Sequence, residues 1–139
     1  MKYVAKLKKQ GKHWLAEFPD CPGCQTFGDS KAEAIEMAKD ALFGWLETSL
    51  DHGAVPPHPK YAGKGVTAMI AIDDPSLAFA LQLRWMRDKY GFTQAQLAKR
   101  AGVSQQQIAK LESPNANPTL QTIKAIAVAL GATFEPQFA

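Results

Sequence analysis

Residues 18–47 read FPDCPGCQTFGDSKAEAIEMAKDALFGWLE, and the way this stretch divides decides the fold. Asp20-Cys21-Pro22-Gly23 is turn chemistry, because proline fixes φ and glycine permits a positive φ. Gln25-Thr26-Phe27 is a short strand that Gly28-Asp29-Ser30 ends. Ser30 and Glu33 form a capping box, the serine accepting from the N3 amide and the glutamate reaching back. Ile35, Ala38, Leu42, Trp45, Leu46 and Leu50 then recur at helical spacing. Lys31, Glu36, Asp40 and Glu47 fall elsewhere, so the spacing predicts an amphipathic helix to about Ser49.

The two cysteines bear on the chemistry. A structural zinc site takes four ligands, commonly two CxxC pairs or CxxC with HxxxH. Here one CxxC stands with scattered His13, His52 and His58. A redox CxxC sits at a helix N-terminus, which lowers the thiol pKa. The helix predicted here starts six residues after Cys24, beyond a strand. Cys21-Pro22-Gly23-Cys24 therefore reads as a turn with reduced thiols, and we expect no metal and no cofactor.

Working outward, Tyr3, Ala5 and Leu7 alternate with Lys2, Lys6 and Lys8, the period of a half-buried strand. Gln10-Gly11 signals a turn. Trp14, Ala16 and Phe18 alternate with His13, Leu15 and Glu17, a second strand. Residues 52–65 hold Pro56, Pro57, Pro59 and three glycines, which predicts a loop. Val66 to Ile72 reads as a buried strand. The order is β-β-β-α-β, an α+β unit.

The quoted stretch resembles the signature of the HicB antitoxin family: a strand ending in P-D-hydrophobic-P-G-C, a small strand, G-D-[ST], then a helix with E-A and A-x-x-A spacing. The resemblance spans residues 1 to about 74. Cys21 stands where the family usually has a larger aliphatic residue, which fits a small buried hydrophobe. The resemblance implies a partial RNase H-like fold and a role in holding a small RNA-cleaving toxin, HicA, inactive. It assigns no toxin-contacting residue; the sheet face and the loop Asp20–Gly23 are the places to look. A nuclease of the RNase H type needs carboxylates converging from the first strand, the helix and a later strand. Met1 to Lys9 carries no acid, and Asp73 and Asp74 follow the last strand, so we expect no enzyme and no catalytic residue.

The chain has 139 residues, 46% of them hydrophobic, enough for one medium domain or two small ones. No run approaches the roughly 18 apolar residues of a membrane span. The opening MKYVAKLKKQ lacks the apolar core and cleavage site of a secretory signal. A cytoplasmic location without membrane contact is the expectation. The net charge of +3 is uneven: residues 1–74 carry 9 Lys/Arg and 10 Asp/Glu, residues 75–139 carry 7 and 3. A basic second half points to a polyanionic partner.

Asp74-Pro75 is a cap followed by proline at N1, starting a helix to about Lys89. Phe79, Leu83, Met86 and Tyr90 make one apolar face. Leu77, Leu81 and Trp85 make a second, which needs a cover: the first domain, the linker or another chain. Residues 92–113, FTQAQLAKRAGVSQQQIAKLES, hold a Thr93–Gln96 capping box, a short helix, a Gly102-Val103 turn and a Ser104-capped helix, which is a helix-turn-helix. Thr119 caps a further helix with Leu120, Ile123, Ile126 and Leu130 inward. Thr133 and Phe134 begin a short C-terminal strand that Pro136 interrupts.

This second half resembles the Xre/Cro family over residues 76 to about 131. The resemblance implies that the second short helix enters the major groove N-terminus first. Gln105, Gln106 and Gln107 occupy its start, and a glutamine amide reads adenine by donating to N7 and accepting from N6. Gln94 matches a position that holds a phosphate and braces the first of these glutamines. Ser104 is mainly a cap; Lys110, Asn115 and Asn117 are expected phosphate contacts. Arg87 and Glu112 match an internal ion pair.

The expected architecture is thus a β-β-β-α-β toxin-binding domain at 1–74 and a mostly helical DNA-binding domain at 75–139. The leading expectation is an antitoxin with two partners, a HicA-like toxin and operator double-stranded DNA, acting as a homodimer or higher homo-oligomer that represses its own operon. The alternatives are a stand-alone repressor whose first domain senses a ligand or another protein, and an RNA-cleaving enzyme using Asp73 or Asp74.

Overall fold

The computed structural model describes residues 1–138, which form two compact units divided after Pro75. The fold is α+β: the first unit holds a sheet and one helix, the second is helical.

In the first unit β1 (Lys2–Gln10), β2 (His13–Glu17), β3 (Gln25–Gly28) and β4 (Thr67–Ala71) make an antiparallel sheet in the order β3-β2-β1-β4. Helix α1 (Lys31–Asp51) lies on one face and buries Ala34, Ala38, Leu42, Leu46 and Leu50, a stripe at four-residue spacing. Ser30 caps it by accepting from the Glu33 amide at 3.1 Å, so the serine half of the expected capping box forms without the return bond from the Glu33 side chain. Tyr3, Ala5 and Leu7 pair with Ile70, Ala68 and Ala16 on the face that the alternation predicts. Helix and strand approach so closely that a Cβ at Gly28 would overlap the Ala34 backbone.

The other sheet face is not simply solvated. Val4 and Leu15 are buried there too, and the loop of residues 53–65 reaches Val4. A Cβ at Gly63 would lie 3.3 Å from the Val4 side chain. The loop is tied at three points. Asp20 accepts from the amides of Lys60 and Tyr61 at 2.9 and 2.8 Å, the Tyr3 hydroxyl donates to the Pro57 carbonyl at 2.6 Å, and Pro56 is fully buried.

The expectation of a buried strand at Val66–Ile72 needs correction. β4 is an edge strand, paired only with β1; it buries Ile70 alone and leaves Met69 69% exposed. A continuous apolar run signals burial on two faces, but a strand at an edge lacks the neighbours that would cover the second face.

The second unit holds α2 (Pro75–Lys89), α3 (Gln94–Ala101), α4 (Gln105–Leu111) and α5 (Leu120–Ala129). Its core joins Leu83, Leu97, Ile108, Leu111, Ile126 and Leu130, with Phe79 and Met86 partly buried against them. Tyr90 instead stays exposed under the Lys89 ammonium, 5.5 Å from the ring centre. Leu77 and Leu81 of the second α2 stripe are fully buried and Trp85 is half-buried. Leu120 was expected inward and is 64% exposed. It is the first residue after the Thr119 cap, so it projects ahead of the turns that reach the core.

No strand forms at Thr133–Phe134; residues 132–138 are irregular. A strand needs a neighbour to bond, and Pro136 removes one donor.

Candidate nucleic-acid interface

The α3–α4 pair is built by local rules. Thr93 accepts from the Gln96 amide at 3.1 Å while the Gln96 side chain accepts from the Thr93 amide at 2.9 Å. Gly102 ends α3 at φ 70°, a left-handed conformation that side chains resist. Ser104 then caps α4, accepting from the Gln107 amide at 3.1 Å. Ile108 and Leu111 turn into the core, which leaves Gln105, Gln106, Ala109 and Lys110 on the exposed side.

The glutamines have different standing. The Gln107 carbonyl oxygen accepts from the Ser104 amide at 2.8 Å, completing the second capping box. Gln105 and Gln106 are exposed at the first turn of α4. Gln94 donates through Nε2 to Glu112 at 3.2 Å. Glu112 is buried and accepts from Arg87 through Nε, at 2.9 and 3.0 Å, and through Nη2, at 2.8 Å. Arg87 Nη1 donates to the Phe92 carbonyl at 2.9 Å. One carboxylate therefore fixes the end of α2, the start of α3 and the end of α4.

A cleft of about 430 Å³ opens beside this network, and Gln94 and Gln105 both line it, together with Arg84 and Arg87. It joins the amide-bearing end of α3 to that of α4, and such helix ends attract phosphate. Lys110 is exposed at the end of α4, and its carbonyl accepts from Ser113. Asn115 and Asn117 are exposed on the following loop, and Ser76 ties that loop to α2 by donating to the Ala116 carbonyl at 2.6 Å. The structure thus brings Gln94 and Gln105 together and sets Asn115 and Asn117 on a separate loop.

Sequence reasoning missed Arg84 as a cleft residue. Its spacing of three from Arg87 on α2 was the available signal. It also left Arg100 unplaced; this residue donates to the Ala129 carbonyl at 3.0 Å and covers the Phe92 ring at 4.9 Å, so it joins α3 to α5.

In the first unit Cys21-Pro22-Gly23-Cys24 is a closed turn. The Cys21 amide donates to the Phe18 carbonyl and the Cys24 amide to the Cys21 carbonyl. Both thiols are free and buried. Burial above all, with the nearby Cys24 and Asp20, pushes Cys21 up to about 12; burial pushes Cys24 up to about 11. His13 meets Asp29 at 3.0 Å, and His52 folds onto the Thr48 carbonyl at 2.8 Å while lining the same groove as Cys24. Among the described residues no group of three or more His, Cys, Asp or Glu is placed to hold a metal, and no helix is long and apolar enough to cross a membrane.

Fold and site together define a two-unit protein whose second unit is a helix-turn-helix of the DNA-binding kind, and a family profile described as helix-turn-helix matches residues 83–136. A profile described as HicB_like antitoxin of bacterial toxin-antitoxin system matches residues 3–77, and the chain belongs to that family. It is 30% identical to Antitoxin HicB 2 of Photorhabdus laumondii over 138 residues, covering 97% of this chain and 94% of that protein. Antitoxin HicB 1 of the same organism is 30% identical over 136 residues, 94% of this chain and 83% of the relative. An uncharacterized HTH-type transcriptional regulator of Archaeoglobus fulgidus is 40% identical over 57 residues, 41% of this chain and 81% of its own length.

Proposed function

We propose that the chain neutralises a HicA-type RNA-cleaving toxin by direct binding and represses its own operon by binding operator DNA. The domain at 1–74 holds the toxin and the domain at 75–139 holds the operator. The working form is a homodimer or larger, because one short helix spans few base pairs while two about 34 Å apart read two half-sites. No catalytic step, metal or cofactor enters, and the protein works in the cytoplasm.

The observation that carries the reading is the pair of exposed glutamines, Gln105 and Gln106, at the start of a capped helix, in a chain whose other unit belongs to the HicB-like family. Gln105 and Gln106 read base edges. Gln107 and Ser104 set the helix end whose amides face phosphate. Gln94 holds a phosphate and braces Gln105, and Lys110, Asn115 and Asn117 contact the backbone. Phosphate neutralisation makes affinity fall steeply with salt.

The test is fluorescence anisotropy on the chain's own promoter DNA. Gln106→Ala should bind roughly tenfold to a hundredfold more weakly, the loss of about 1–3 kcal/mol for one bidentate base contact. A Gln106→Ala variant that binds as wild type removes this residue from recognition.

A further inference from the structure

The first unit separates its charge. β1 carries Lys2, Lys6, Lys8 and Lys9 and no acid. α1 carries Glu33, Glu36, Asp40, Glu47 and Asp51 against Lys31 and Lys39, and Lys39 is itself bonded to Glu36 at 2.9 Å. Unit 1 therefore has a lysine-rich strand in its sheet and an acid-rich helix.

The acids share α1 with a strip of mostly small residues that is exposed except at half-buried Ala41. Met37, Ala41, Gly44 and Thr48 recur at three- and four-residue spacing, and Glu33, Asp40 and Asp51 fall on the same side. Met37 is 44% exposed. Beside the strip runs an open groove of about 540 Å³, lined by Ala41, Gly44, Trp45 and Thr48 of α1 and by Gly23 and Cys24 of the turn.

Gly44 is the residue that the fold does not account for. Glycine is the poorest helix former after proline, yet it stands in the middle of a 21-residue helix. At Gly28 a Cβ would strike α1; at Gly44 it would meet nothing within 4 Å. Nothing inside the chain requires the missing side chain. The bare position leaves the helix backbone open to close approach by a second molecule.

We propose that this α1 face, and not the lysine-bearing sheet face, is where the toxin docks. An apolar side chain of the toxin enters the groove over Gly44 beside Trp45, while the toxin's RNA-binding surface lies along Glu33, Asp40 and Asp51. The occupant follows from charge: a protein that cleaves RNA must present a basic surface to phosphates, and acids at matching positions attract and cover that surface. A nucleic acid is repelled by the same acids. The inference rests on the antitoxin reading and gives that reading its surface.

The test uses the full chain and a HicA-type toxin encoded beside it, inactivated and purified, with Kd read by calorimetry. Gly44→Arg fills the groove and replaces a poor helix former, so the helix is retained. It should weaken toxin binding at least tenfold, with operator affinity and dimer content unchanged and the thermal midpoint at or above that of the wild type. Reversing the acids (Glu33→Lys with Asp40→Lys and Asp51→Lys) should also weaken it and should remove most of its salt dependence. Lys2→Glu with Lys8→Glu on the sheet should leave toxin binding at the wild-type value. Wild-type toxin affinity in Gly44→Arg overturns the proposal. Loss of the dimer in that variant also overturns it, by giving the face to a second copy. A wild-type chain without affinity for the toxin overturns the antitoxin reading itself, a result distinct from either.

Discussion

Cys21 and Cys24 show how one residue type takes opposite chemistry from its surroundings. A thiol at a helix N-terminus is pushed toward thiolate; these two are closed into a turn, removed from water and pushed the other way. In the folded chain they behave as small hydrophobes. Alkylation by iodoacetamide near pH 8, followed by mass spectrometry, should therefore be slow until denaturant is added, and rapid labelling of Cys21 in the native chain would contradict the burial. The same shifts set a pH dependence. Below the ordinary thiol value of 9.0 both states are neutral and the full contribution is present. As pH rises from about 9 toward about 12 the unfolded thiols ionise first, so stability falls over that window. Asp20 works nearby by geometry, since its carboxylate gathers two loop amides that have no strand to bond.

At the scale of elements, the helix-turn-helix depends on one buried carboxylate. Glu112 satisfies Arg87 and Gln94 at once, and Arg87 is only 12% exposed. Glu112→Ala leaves a largely buried guanidinium unpaired, at a cost of about 3 kcal/mol. The expected result is a thermal midpoint lower by roughly 12 °C or more, read by circular dichroism, with operator binding weakened in parallel because Gln94 loses its anchor. An unchanged midpoint would mean that the network adds nothing.

The elements also show what was legible beforehand. The Thr93–Gln96 capping box, the Ser104 cap, the Gly102 turn and the α1 stripe follow from spacing, because caps and period are local properties. Three features were not legible. The outer sheet face buries Val4 and Leu15, and the 53–65 loop, held by long-range bonds from Asp20 and Tyr3, comes against Val4 at Gly63. β4 takes its exposure from being at the edge, which is a property of strand order and not of its own residues. The tail after Gly131 has strand-like residues and no strand beside it. Of the candidate DNA contacts, the exposure of Gln105 and Gln106 could be read from the motif. The engagement of Gln107 with Ser104, and of Gln94 with Glu112, needed coordinates.

For the whole molecule, the charge of +3 conceals two different surfaces. The second unit gathers Arg84, Arg87, Gln94 and Gln105, with Asp88, around one cleft. The first turns an acid-rich helix outward. A protein that meets one basic partner and one polyanion needs that division, and a single even distribution would serve neither. On the proposed function, operator contacts and toxin contacts draw on different units, so variants in one set should spare the other. On the proposed function the chain silences an RNA-cleaving toxin by occupying it. The decisive assay is cleavage of an RNA substrate by the HicA-type toxin encoded beside this chain, with the purified chain titrated in. Cleavage should stop once the chain matches the toxin in molar amount, and return when salt disrupts the complex. Undiminished cleavage at a large excess of folded, operator-binding chain would contradict it.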